Sequence, residues 1–287
     1  LSAGNHGGRG ILSDADLLAR LVASARRRET PCGDGAMVWH EWGEGPPLVL
    51  LHGGSGSWRH WARNLPALVP GWRVLAPDLP GLGESAMPPR GTDLWPIARI
   101  ILQGLDLLLG PEARCDLVGF SFGAVISGHV AALSGRRLRS VTLVGAGALG
   151  LRRDPVALEK VREKTGAARV EANRTNLARL MFADPARIDE LALEIQDWNT
   201  RHARLRSRDI TSASALRDAL AQSRVPVQAI YGEFDAIAYP YMQERVDFFT
   251  TLPEASPLQV IPGAGHWAAF EAAEAFNAAL LARLARA

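Results

Sequence analysis

Three residue types that together can cleave an acyl bond stand far apart in this chain, each just past a short apolar run. Ser121 sits in Gly119-Phe120-Ser121-Phe122-Gly123, Asp235 closes Gly232-Glu233-Phe234-Asp235, and His266 lies in Gly263-Ala264-Gly265-His266-Trp267. A serine hydroxyl is a poor nucleophile until a base takes its proton, and an imidazole base needs a third group to fix its tautomer. The pentad around Ser121 reads as a turn so sharp that the serine takes a strained backbone angle. Its two glycines let strand and helix pass closely. The N–H of Phe122 would open the following helix, where free donors favour a developing oxyanion. A second donor is expected from Gly54, in the run His52-Gly53-Gly54-Ser55-Gly56-Ser57-Trp58. His52 itself reads as a structural hydrogen-bonding group beneath that loop. Glu233 rivals Asp235 for the carboxylate, but Asp235 lies deeper in its loop. Trp58, Phe120, Trp198 and Trp267 are the expected aromatic wall of a substrate pocket.

The elements that must position these groups alternate. Apolar runs at 37–42, 48–51, 73–76, 116–118, 141–144, 227–231 and 258–261 read as strands, the first of them of edge type. Between them, helical patterns fall at 61–68, 97–109, 122–133, 241–249 and from about 271. Buried strands alternating with helices call for a parallel sheet covered on both faces, with functional loops at the carboxyl ends of the strands. At the start, Ser13 with Asp16 forms a capping box for a helix that would end in Arg26-Arg27-Arg28, and residues 1–8 read as a flexible tail.

Composition shifts near residue 151. From there to 222 the sole glycine is Gly166, and Asp154-Pro155 and Asp184-Pro185 read as helix starts. Ile188, Leu191, Ile195 and Trp198 mark one helical face, and Leu177, Leu180 and Met181 another. Arginines fill the remainder, so this stretch is expected to form a helical cap with an apolar underside and a solvated basic top. The domain reading is therefore an N-terminal tail and helix at 1–30, a core at 31–150 and 223–287, and the cap at 151–222.

The chain has 287 residues, 47% hydrophobic and 22% charged, with a formal net charge of +2, so nothing in its overall charge points to nucleic acid. The two cysteines, Cys32 and Cys115, read as free thiols, with no metal-type spacing. No apolar run approaches a membrane span and no signal peptide is visible, so a cytoplasmic location is expected. Gly145-Ala146-Gly147-Ala148-Leu149-Gly150 has dinucleotide-fingerprint spacing, but it lies mid-chain and lacks a strand-ending acid at the right distance.

With HGGSGSW at 52–58, DLPGLGES at 78–85, GFSFG at 119–123, YGEFD at 231–235 and GAGHW at 263–267, the chain resembles the α/β-hydrolase superfamily over residues 36–287. The resemblance implies a mostly parallel eight-stranded sheet with helices on both faces, an inserted cap and no cofactor. It also implies a triad of Ser121, Asp235 and His266. Layout, and Trp267 after His266, are similar to the meta-cleavage-product hydrolases, which cleave carbon–carbon bonds beside ketones. Phe120 stands where that group usually carries asparagine, and residues 191–198 offer no clear match to its carboxylate-binding arginine. The primary expectation is thus a serine hydrolase of small apolar esters. A carbon–carbon hydrolase is the alternative, and a slow small-molecule receptor on the same fold is the other class. A small-molecule substrate is the expected partner, with no nucleic acid and no membrane; a homodimer is left open.

Overall fold

The structure, a computed structural model, describes residues 14–252 and 258–285. Its centre is one eight-stranded sheet in the order β1-β2-β4-β3-β5-β6-β7-β8. The strands are β1 (Arg26–Cys32), β2 (Gly35–Trp42), β3 (Pro47–Leu51), β4 (Arg73–Pro77), β5 (Cys115–Phe120), β6 (Leu138–Val144), β7 (Val227–Gly232) and β8 (Gln259–Ile261). β1 and β2 run antiparallel to their neighbours; from β4 to β8 all pairings are parallel.

Strand side chains alternate between two apolar layers, as the pleat requires. Val49, Leu51, Leu117 and Leu143 face one layer, where α3 (Leu94–Leu109) and α4 (Phe122–Leu133) pack. Leu48, Leu50, Val118 and Val144 face the other, covered by α1 (Asp14–Ser24) and α10 (Ala273–Leu284); the shorter helices of the core are α2 (Leu65–Leu68), α8 (Met242–Thr250) and α9 (Ala268–Glu271). Both faces being buried explains why β3 and β5 read as unbroken apolar runs rather than alternating ones.

Two expectations at the amino end need correction. Arg26-Arg27-Arg28 does not end a helix; α1 stops at Ser24 and the arginines begin β1, so the sheet starts inside residues 1–30. The reason is tertiary. Arg26 and Arg28 both reach the buried carboxylate of Glu41 on β2, while Thr30 and Cys32 turn inward. The same pairing makes β1, not the 37–42 run, the edge of the sheet. Ser13 and residues 1–8 lie outside the described residues.

Between β6 and β7 no strand forms among the described residues. The segment holds α5 (Gly166–Asn176), a π-type turn (Leu177–Met181), α6 (Glu190–His202) and α7 (Ala215–Leu220). Asp189 caps α6 by accepting from the N–H of Ala192 at 2.9 Å. Asp184 likewise caps a short 3₁₀ turn, Pro185–Arg187. Asp154-Pro155, by contrast, starts no helix. Residues 151–160 are an irregular strap fastened from outside: Glu244 accepts from the Arg152 N–H, and Asn176 Oδ1 accepts from the Glu159 N–H. Leu191, Ile195 and Leu177 turn inward and join the layer that holds Trp58 and Trp267. One arginine is not on the solvated side. Arg169 is buried, paired with Asp197 and donating to Thr200 Oγ1 at 2.9 Å, so it ties α5 to α6.

Candidate active site

Ser121 joins β5 to α4 with φ 52 and ψ −112, a left-handed conformation that serine adopts only under constraint. The constraint is visible on both sides. A methyl on Gly123 would meet the backbone oxygens of Leu51 and His52 at 2.4 and 2.6 Å, and one on Gly119 would strike Ser127 Oγ at 2.2 Å. The two glycines therefore let α4 lie directly against β3 and β5, and Ser121 is left facing a cavity.

From the ends of β7 and β8 two loops bring Asp235 and His266 to it. Ser121 Oγ is 2.9 Å from His266 Nε2, and His266 Nδ1 is 2.8 Å from Asp235 Oδ1. With Asp235 accepting at Nδ1–H, Nε2 is left as the acceptor for the serine proton. Asp235 is fully buried, and Oδ1 also accepts from the Ile237 N–H at 3.0 Å. Glu233, the rival carboxylate, points elsewhere and accepts from the Gly263 N–H at 2.9 Å, bracing the histidine loop.

The amides of Gly54 and Phe122 have no protein acceptor among the described residues, and a methyl on Gly54 would stand 3.6 Å from Phe122 Cβ. The two lie side by side at the start of α4, where the dipole is positive. The neighbouring Gly53 N–H is already used, donating to His60 Nδ1 at 3.2 Å. His52 is engaged below the loop: Nε2 accepts from the Leu79 N–H, which leaves the proton on Nδ1 to bond the Gly53 carbonyl, each at 2.8 Å. Burial pushes His52 down to about 4 and holds His60 well below the usual imidazole range, so both act as neutral brackets.

A cavity of about 640 Å³ opens onto Ser121, Phe122 and His266. Its apolar wall includes Val125, Leu149, Val156, Leu180 and Ile237, and its polar side Ser207, Thr211, Arg153 and Arg208. The expected aromatic wall is not there. Trp58, Phe120 and Trp267 are sunk in the core: Phe120 packs its ring 5.0 Å from that of His266, and Trp267 stacks 4.2 Å from Phe270. Trp198 lies between the Arg59 guanidinium, 3.6 Å from its ring, and the stacked His202. None of the four lines the cavity: Trp58, Phe120 and Trp267 fill space beneath the loops rather than above Ser121, and Trp198 is taken up by its stack with Arg59 and His202. A second cleft, about 750 Å³, lies at the opposite ends of β5 to β7 and touches none of the three groups.

Three further features shape the site. Gly145, at φ +53, leaves room for the Asp235–His266 pair, since a methyl there would lie 3.0 Å from both. Residues 146–150 of the same glycine run line the cavity, so the dinucleotide-like spacing reflects a close-packed wall. Glu271 is buried and accepts from the N–H groups of Gly265, Ala183 and Asp184, fastening the histidine loop to the inserted segment. Neither an acid just ahead of the C-terminal helix nor a glycine past a strand signals such a partner in sequence.

One carboxylate–imidazole group could be considered for a metal: among the described residues, His40, Asp78 and Glu84 bring ligand atoms within 4.8 Å of one another. The chemistry is unfavourable to a cation. Both Asp78 oxygens already accept backbone N–H groups, from Trp58 and Glu84, and the Arg59 charge lies beside them.

Fold and site geometry together define a class. A sequence profile of the α/β hydrolase fold matches residues 46–273, and the chain belongs to that family; it is an α/β-hydrolase enzyme. It is 34% identical over 264 residues to the dihydrolipoyllysine-residue acetyltransferase component of an acetoin cleaving system from Pseudomonas putida, covering 88% of this chain and 67% of that protein. It is 28% identical to a 2-hydroxy-6-oxononadienedioate/2-hydroxy-6-oxononatrienedioate hydrolase of the same species, over 85% of this chain and 89% of that one. An esterase from Rhodococcus sp. ECU1013 shares the fold with a TM-score of 0.72 at 21% identity, covering 90% of this chain and 98% of that chain.

Proposed function

We propose that the chain is a serine hydrolase that cleaves a carboxylic ester, or a similar acyl bond, of a small and largely apolar substrate. The observation that carries this reading is the relay from Ser121 Oγ through His266 to Asp235, 2.9 and 2.8 Å long, at the end of a cavity with an apolar wall. Ser121 Oγ attacks the carbonyl carbon as its proton passes to His266 Nε2, and the carbonyl electron pair moves onto oxygen. The Gly54 and Phe122 N–H groups hold that oxyanion, while Asp235 stabilises the imidazolium. Collapse breaks the ester C–O bond, and the leaving alkoxide takes the proton from His266 as alcohol. Water, deprotonated by His266, then attacks the acyl-enzyme and releases the acid, with Ser121 reprotonated. The inserted segment 151–222 serves as the cap, supplying the strap and the polar side of the cavity.

The test is labelling by a fluorophosphonate, read by mass spectrometry, with turnover of p-nitrophenyl esters of increasing chain length. Ser121→Ala should lose the adduct and at least ~10⁴-fold in kcat. A folded wild-type protein that forms no adduct on Ser121 would sink this reading and favour a receptor. The Pseudomonas putida hydrolase, similar along most of both chains, favours a second reading: hydrolysis of a carbon–carbon bond next to a ketone by the same groups. Turnover of a 2-hydroxy-6-oxo-dienoate, with no turnover of any ester, would select it.

A further inference from the structure

The oxyanion site proposed above has two backbone donors, both from the core. A third polar group stands over it, and it comes from the inserted segment. Ser207 opens a short 3₁₀ turn, Ser207–Asp209, and lines the same cavity as Ser121, Phe122 and His266. A methyl on Gly54 would lie 2.8 Å from Ser207 Oγ and 3.6 Å from Phe122 Cβ, so the hydroxyl and both amide-bearing residues meet at one point. Ser207 is half-buried, and its hydroxyl has no protein partner among the described residues, although its own carbonyl is engaged by Thr211 Oγ1 at 2.7 Å.

The hydroxyl is also held in place. Arg204 and Leu205 each donate a backbone N–H to the Gly81 carbonyl at 3.0 Å, and the Arg204 guanidinium donates to the carbonyls of Gly83 (3.1 Å) and Ser85. The Asp209 N–H closes the turn on the Arg206 carbonyl at 3.0 Å. The stretch 204–209 is thus clamped to the loop after β4, and Gly54 lacks the side chain that would push Ser207 away. A rigidly carried hydroxyl, unpartnered and beside two residues whose N–H groups have no protein acceptor among the described residues, has the properties of a preorganised donor to developing negative charge.

We propose that Ser207 is a third oxyanion donor, its hydroxyl hydrogen-bonding the substrate oxygen held by Gly54 and Phe122. This deepens the acyl-transfer reading and rests on it. The interaction strengthens as charge develops, so it acts mainly on kcat rather than on KM. It also makes the seated inserted segment part of the catalytic site, because the core alone lacks the third donor.

The experiment compares wild type, Ser207→Ala and Ser207→Thr in p-nitrophenyl ester turnover, in the second-order rate of fluorophosphonate labelling at Ser121, and in thermal unfolding. The expected result is a loss of roughly 10- to 100-fold in kcat and in labelling rate for Ser207→Ala, with KM within about threefold. Ser207→Thr, which keeps the hydroxyl, should recover most of both rates, and all three proteins should unfold at the same temperature. Unchanged kcat and labelling rate in Ser207→Ala, with Ser121 still labelled, would overturn the third donor alone. Loss in both variants alike, accompanied by a lower unfolding temperature, would overturn it in favour of a packing role. Absence of labelling in the wild type would overturn both this inference and the reading beneath it.

Discussion

At the scale of single residues, what distinguishes the site is how many side chains are spent on holding others. Asp235 binds His266, Glu233 and Glu271 brace the histidine loop, and His52 and His60 bracket the glycine loop. The role of Asp235 is separable from simple packing. Asp235→Asn keeps the volume but presents an amide that can stabilise the wrong imidazole tautomer, leaving Nε2 protonated toward Ser121. We expect kcat on an ester substrate to fall by about 10⁴-fold with KM little changed, measured at neutral pH in the steady state. An equal loss in Glu233→Gln would show instead that the loop, and not the carboxylate on Nδ1, is what matters.

At the scale of elements, the elbow between β5 and α4 is a packing solution before it is a chemical one. The positive φ of Ser121 is tolerated because the surrounding glycines allow the helix to approach the sheet, and that approach has no slack. In Gly123→Ala the added methyl would meet two backbone oxygens, neither able to yield without moving β3 or the glycine loop. We expect it to lose about 3 kcal/mol of stability in urea denaturation, the upper end for an overpacked core. Gly128, one turn further along α4, is a control. There the methyl would meet Leu216 Cδ1, the end of a flexible side chain, and a glycine-to-alanine change inside a helix gains about 1 kcal/mol. Gly128→Ala should therefore stay within about 1 kcal/mol of wild type. Equal losses in the two variants would count against the close-approach account.

For the whole molecule, stability should depend on pH through neutral histidines trapped by burial. Burial, with the charges of Arg59 and Arg27 adding to it, lowers His40 to about 4; burial alone takes His52 there too. Their folded values lie below the unfolded one, so the unfolded chain binds more protons and stability falls as pH drops from about 6.5 towards 4. Asp78 opposes this. Burial raises it to about 6, so its protonation on acidification favours the folded state. From pH 7 to pH 5 the two histidines should remove about 4 kcal/mol and Asp78 return about 1, a net loss of roughly 2 to 3 kcal/mol before His60 is counted. Urea midpoints at the two pH values check this. A flat or rising profile would mean that these imidazoles are hydrated or charged at neutral pH. No helix among the described residues is long and apolar enough to cross a membrane.

Much of this protein is written locally. Strands buried on both faces show as apolar runs, helices show as periodic ones, and the glycines around Ser121 mark a sharp strand-to-helix turn. The sheet, its helical layers and the sequence order of Ser121, Asp235 and His266 past successive strands were legible for that reason. The rest depends on residues distant in sequence. Arg26 to Arg28 carry helix propensity, yet they form a strand because Glu41 and the backbone of β2 wait across the sheet. Aromatic rings near a site suit a ligand, so sequence alone puts the tryptophans in a pocket wall, but the packing sinks Trp58 and Trp267 beneath the loops and stacks Trp198 between Arg59 and His202. Gly145 and Glu271 carry no local signature of their roles, and Ser207 is one serine among many until the fold lays it over Gly54. By itself the sequence determined the strands from β2 to β8, most of the helices that cover them, and the order of the acyl-cleaving residue types. Only the tertiary structure decided which side chains meet, because meeting across 30 to 150 residues is a property of packing and not of local pattern.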